Sequence, residues 1–195
     1  GLELIIKATQ DPDQSIAMKA VGALGPHKTD DVQEALREIV QETSGVVSQK
    51  AYVSLLAFQE SDDDVLEGLE SGDEVILTEA LKRVLGQITR FATKDGVADK
   101  VVDFVRSGTK EQALLILAAR LLGRSEDASK AVFLSDWYYK EVMGEASPIC
   151  LTQLCQQLTQ SLNQLDPQPA LKKWTQALAQ PDKQAKAIEA LRQLA

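Results

Sequence analysis

Ala20-Val21-Gly22-Ala23-Leu24-Gly25 and Ala118-Ala119-Arg120-Leu121-Leu122-Gly123 can be laid over one another, and their likeness decides how the chain is read. Around each, a small residue stands midway between apolar residues four positions away, as in Ile16-Ala20-Leu24 and Leu114-Ala118-Leu122. A spacing of four puts side chains on one face of an α-helix, so the small central residue marks where a second helix can approach closely. The pattern recurs as Val47-Ala51-Leu55, Ile76-Ala80-Val84 and, more loosely, Lys183-Ala187-Leu191. The first four central alanines lie 31, 29 and 38 residues apart, and Cys155 fills the same slot 37 residues after Ala118 and 32 before Ala187. Each interval is the length of one helix pair.

Working outward, each of these B helices is preceded by an A helix with its own apolar stripe. The stripes are Leu4-Ile5, Val32-Leu36-Ile39-Val40, Val65-Leu66-Leu69, Val97-Val101-Val102-Val105, Val132-Phe133-Trp137 and Leu171-Trp174-Leu178. Stop and cap signals separate them: Asp11-Pro12-Asp13, Gly25-Pro26, Thr29-Asp30-Asp31, Glu60 to Asp64, Gly72-Asp73, Asp95-Gly96, Gly108-Thr109, Ser147-Pro148 and Asp166-Pro167-Gln168-Pro169. No segment sustains strand-like alternation, so the expectation is about twelve helices and no sheet, with the register unsettled between Ser125 and Leu165. A lone pair cannot bury both stripes, which requires neighbouring pairs to stack on a continuous core.

The alternation of apolar A helix, short Asp- or Gly-containing turn and small-residue B helix, as in Leu4 to Gly25 and Val32 to Phe58, resembles HEAT-like repeats. The period is similar to the short bacterial, phycobilisome-lyase-type repeats rather than the roughly 40 to 47 residues of longer HEAT and armadillo units. The resemblance implies an all-α, right-handed α-solenoid of about six antiparallel helix pairs, a single domain over residues 1–195. One departure is that Ala17 and Ser48 stand where a basic residue often opens the B helix. Tetratricopeptide and ankyrin patterns are absent.

Composition agrees with a folded chain: 44% of the 195 residues are hydrophobic and 26% charged. The longest apolar run, Ala113 to Ala119, is far short of the roughly 18 residues of a membrane span. The opening Gly-Leu-Glu-Leu-Ile-Ile-Lys has neither an initiating Met nor a signal-peptide pattern, so Gly1 reads as an expression remnant and the chain as a candidate fragment of a longer protein. Cys150 and Cys155, read as members of one helix, would point about 140° apart, beyond disulfide reach. As free thiols they suit a reducing compartment, and the cytoplasm is the expected location.

The net charge of −8 disfavours nucleic acid as a partner. Eight acids and no base lie between Glu60 and Glu74, and the remaining acids and bases number 21 each, so the net charge is local. Ser61 to Asp64 and Asp73-Glu74 are placed to cap two successive helices, where carboxylates meet positive dipole ends. Glu67 and Glu70 are left over, and with Asp63 they are candidates for an acidic patch that meets a basic partner. The spacing of a calcium-binding loop is absent. A second candidate is Trp137-Tyr138-Tyr139. Three consecutive helical positions fan over about 200°, so the rings cannot all face one core. Either Phe133 and Trp137 form the core stripe while a tyrosine covers it, or one or two rings stay exposed as a partner anchor.

His27 is the sole histidine, in a turn after Gly25-Pro26, so neither a His-dependent triad nor a soft-metal ligand set can be assembled. No phosphate-binding glycine motif occurs. The glutamines from Gln153 onward read as a neutral solvated face, and the lysines near them are too sparse for nucleic acid. The expected function is a non-catalytic scaffold that presents an extended helical surface to a protein or peptide, with no cofactor, metal or membrane involved. Two alternatives stand beside it: a chromophore-lyase-like or other solenoid enzyme, and a structural segment of a larger multidomain protein.

Overall fold

The computed structural model describes residues 1–58, 62–108, 111–144 and 152–194. Among the described residues there are thirteen α-helices and no strand, so the chain is all-α. It divides into two compact units, Gly1–Arg83 and Val84–Ala195.

Unit 1 contains α1 (Leu2–Ala8), α2 (Gln14–Leu24), α3 (Asp30–Glu42), α4 (Val46–Leu55), α5 (Asp62–Leu69) and most of α6 (Glu74–Gly86). Asp13 caps α2 by accepting the Ser15 N–H at 2.8 Å, and Asp73 caps α6 by accepting from Val75 and Ile76 at 2.9 and 3.2 Å. Gly45 opens α4 at φ 68° and ψ −145°, a conformation that a side chain would strain. The core is continuous from α2 through α3 to α4: Ala17, Val21 and Leu24, then Val32, Leu36 and Ile39, then Val47, Ala51 and Leu55, with Phe58 beyond. α2 packs on both α1 and α4, while α3 packs on α4. Each large side chain buried there contributes about 1.5–3 kcal/mol.

Unit 2 continues through α7 (Ile88–Phe91), α8 (Val97–Arg106), α9 (Gln112–Gly123), α10 (Lys130–Gly144), α11 (Gln153–Leu165), α12 (Gln168–Ala177) and α13 (Gln184–Leu194). Within it α9 packs on α8 and α11, α10 on α11 and α12, and α13 on α11 and α12. The contact of α9 with α11 is backbone-close, since a Cβ built on Gly123 would lie 2.6 Å from Ser161 Cβ and 2.7 Å from Ser161 Cα. Lys186 Nζ donates to the carbonyls of Val142 and Met143 in the last turn of α10, where a cation meets the negative dipole end. Thr152 caps α11 through the Cys155 N–H.

All six small central residues, Ala20, Ala51, Ala80, Ala118, Cys155 and Ala187, are buried. Elsewhere the stripes need correction. Leu4 is 73% exposed, and α1 contributes Leu2, Ile5 and Ile6 as partial cover. Ile16 is exposed and Ala17 takes its core position. On α10 Trp137 is buried as expected, together with Ala131, Leu134, Ser135, Tyr138 and Val142, whereas Val132 is exposed and Phe133 half-buried. Apolar residues surround that helix, so periodicity alone could not select the face. Lys183 precedes α13 and the helix buries Ala187, Ala190 and Leu194. The thirteenth helix, α7, has no strong start or stop signal; it exists by burying Ile88 and Phe91, three apart, against the rest of unit 2.

Cys155 is disulfide-bonded, which corrects the reading of free thiols. α11 starts at Gln153, after Cys150, so the angle between two residues of one helix does not apply. Cys150 itself lies outside the described residues, as do Glu60, Ser61, Thr109, Ser147 and Pro148 from the sequence reading. With Cys155 oxidised, the cysteines no longer point to a reducing compartment. No helix among the described residues is long and apolar enough to cross a membrane.

Candidate functional site

A cleft of about 350 Å³ opens on unit 1. The last turns of α3 supply Arg37, Val40 and Gln41, and the α3–α4 turn supplies Thr43, Ser44 and Gly45. Ser48, Tyr52 and Leu55 come from α4, Asp64, Glu67 and Gly68 from α5, and Glu70, Ser71, Asp73 and Ile76 from the α5–α6 turn and the start of α6. Apolar Val40, Leu55 and Ile76 thus share the cleft with four carboxylates and a single base.

That base is engaged inside the protein. Arg37 places Nε 2.7 Å from one Asp64 oxygen and an η nitrogen 3.1 Å from the other, a two-pronged pair across α3 and α5. The Asp64 side chain is only 4% exposed, while Arg37 keeps 35% of its side chain in solvent. The Asp64 hydrogen bonds, ahead of the cost of burial, hold the guanidinium pKa above its ordinary value. Tyr52 donates its hydroxyl to the Asp64 backbone carbonyl at 3.2 Å. Burial, and then the charge of Asp64, pushes that phenol above its usual range. Gly68 makes the arrangement possible, because a Cβ there would fall 1.8 Å from Tyr52 Oη and 2.4 Å from Cζ. Asp73 accepts two hydrogen bonds from Gln49 Nε2 besides those of the α6 cap. The Gln49 bond, first among these, lowers the Asp73 pKa.

The candidates from the sequence divide here. Glu67 and Glu70 line the cleft and are exposed, whereas Asp63 is exposed on the first turn of α5 and does not line it. Glu67 receives one long hydrogen bond, from Gln41 Nε2 at 3.4 Å. Capping accounts for Asp73, but Asp64 turns inward to Arg37 instead. Sequence reasoning missed Arg37, Asp64 as an ion-pair partner, Tyr52 and Gly68. Two signals were present: Arg37 is the one base in a helix with five acids, and Gly68 interrupts an apolar helix face with no turn to make.

The aromatic triplet packs inward. Trp137 is buried and donates its indole N–H to Glu141 at 3.1 Å. Tyr138 is wholly buried, edge-on to Trp174, and donates its hydroxyl to Gln193 Oε1 at 3.0 Å. Half-buried Tyr139 lies with its ring centre 4.7 Å from that of Trp174, and Lys173 Nζ sits over it, also at 4.7 Å. No exposed ring pair exists at these positions, because Trp174 from α12 takes both tyrosines. A groove in unit 2 does border Phe133 and Trp137, but its lining pairs Arg106 and Lys140 with Asp136 and Glu141 in number, leaving no net sign. His27 is exposed. Among the described residues, no group of three or more His, Cys, Asp or Glu side chains is placed to hold a metal ion.

No protein-family model matches the sequence, and no curated protein matches it.

Proposed function

We propose that this chain is a non-catalytic binding module built from HEAT-like helix pairs, and that the unit 1 cleft takes a basic segment of a protein partner. The solenoid reading is supported within each unit. In unit 1 the B helices α2 and α4 pack on one another, and in unit 2 the B helices follow as α9 on α11 and α11 on α13, with A helices α10 and α12 in contact. Stacking of like helices is what a repeat array requires.

The observation that carries the function is the charge of the cleft: Asp64, Glu67, Glu70 and Asp73 against Arg37 alone. Such a field selects and steers cationic partners, and it weakens with salt. The test is to measure binding of lysine- and arginine-rich peptides to the full chain across ionic strength. Affinity falls with added salt and falls further for Glu67→Gln, while Asp63→Asn, outside the cleft, leaves it nearly unchanged. Equal effects of the two substitutions would show a diffuse surface charge and no site.

A further inference from the structure

We infer that the unit 1 cleft recognises its basic partner through one inserted arginine side chain; this rests on the basic-partner reading above and specifies its chemistry. The first ground is size. At about 350 Å³ the cleft is at the lower end of the roughly 300–1,000 Å³ of small-ligand sites. A helix with its side chains is about 10–12 Å across and does not enter such a space, whereas one long side chain does.

The second ground is the distribution of apolar and charged groups. Val40, Leu55 and Ile76 offer an apolar wall for an aliphatic stem, and Glu67 stands in the same cleft for a cationic head. Of the cleft carboxylates, Asp64 and Asp73 are engaged by neighbouring side chains and backbone. Asp64 is forked by Arg37, and Asp73 is held by Gln49 and two backbone N–H groups. Among the described residues Glu67 accepts the 3.4 Å bond from Gln41, an exposed amide that a charged donor displaces readily. The third ground selects the head. Thr43, Ser44 and Ser71 line the same space, each with a hydroxyl oxygen able to accept, and a planar guanidinium presents five donors to several acceptors at once. Guanidinium is also less strongly hydrated than ammonium, so it loses less beside an apolar wall. Arg37 shows the same chemistry within the protein, its stem on α3 and its fork on an α5 carboxylate.

The experiment titrates the full chain with short, otherwise neutral capped peptides that carry one arginine, one lysine or one citrulline, following backbone amide shifts by NMR. The arginine peptide shifts the resonances of Val40, Ser44 and Glu67, citrulline binds at least about tenfold more weakly, and lysine falls between them. Glu67→Gln lowers arginine-peptide affinity about tenfold, with Asp63→Asn as the unaffected control. Equal binding of arginine and citrulline, or of arginine and lysine, overturns the inference. If polybasic peptides bind in a Glu67-dependent way but no single-arginine peptide does, the inserted side chain is wrong and the basic-partner reading survives. If no basic peptide binds, both fall.

Discussion

Gly25 and Gly123 end the two stretches that match best in sequence, yet they meet their neighbouring B helices at different distances. A Cβ on Gly25 would lie 3.5 Å from Ser54 Oγ, an ordinary contact, whereas one on Gly123 would lie 2.7 Å from the Ser161 backbone Cα. One motif therefore serves two kinds of helix contact. In unit 2 the glycine lets α9 and α11 touch through their backbones; in unit 1 the equivalent residue closes a turn and leaves room. Unit 1 makes its own close approach at Gly68, against the tip of a tyrosine ring, and opens a charged cleft beside it.

The largest expected effect tests this contrast directly. Gly123→Ala should destabilise by about 3 kcal/mol, at the upper end of overpacking costs, while Gly25→Ala should stay within about 0.5 kcal/mol. Urea unfolding of both variants measures the difference, and similar losses would erase the distinction between the two contacts. Ser161→Gly should not restore the Gly123→Ala variant fully, since the obstructing Cα remains.

Next in size is Arg37→Ala, which leaves the buried Asp64 carboxylate, among the described residues, with the 3.5 Å contact from Gln33. The partial exposure of Arg37 moderates the usual cost of breaking a buried pair to about 2–3 kcal/mol. Replacing both partners, Arg37→Met with Asp64→Leu, should recover most of that loss by removing the stranded charge. A double variant no more stable than Arg37→Ala would show that the pair holds the fold by more than charge.

Gly68→Ala should cost about 1–2 kcal/mol, less than Gly123→Ala, because the colliding atoms belong to a side chain that can shift. Tyr52→Leu in that background removes the obstructing ring atoms, and partial recovery in thermal unfolding is the expected outcome. Failure to recover would place the strain in the backbone, as at Gly123.

The smallest effect is electrostatic. In unit 2 the Ser129 hydroxyl, followed by Lys130, pulls the Asp127 pKa down to about 2 from 3.8. A carboxylate with a lowered folded pKa stabilises above its unfolded value and loses that contribution as pH falls through the folded one. For Asp127 the window runs from about pH 4 to about pH 2, and Asp73 in unit 1 shifts in the same direction. Asp127→Asn should flatten part of the acid limb of stability against pH. An unchanged acid limb would mean that this turn contributes nothing measurable.

Local signals made much of the fold legible. The i, i+4 triplets located the B helices, and caps such as Asp13 and Asp73 marked where helices begin, because both depend on residues close in sequence. The face of α10 was not legible, since that helix is apolar on several sides and only the arrival of Trp174 from α12 decides that Tyr138 and Tyr139 turn inward. Of the candidate site, Glu67 and Glu70 could be singled out as acids that capping did not use. Their meeting with Arg37, Tyr52 and Val40 could not, because no local pattern reports which residue of α3 or α4 faces α5.

By itself the sequence determined an all-α chain, the burial of its small central residues and the concentration of its charge between residues 60 and 74, all properties of composition and short-range spacing. Only the tertiary structure decided that Asp64 is buried on Arg37, that Gly123 and Gly68 leave no room for a Cβ, and that Val40, Leu55 and Ile76 line one cleft with Glu67. Those facts depend on the distance and rotation between helices, which packing of whole side-chain surfaces sets and no single stretch of residues encodes.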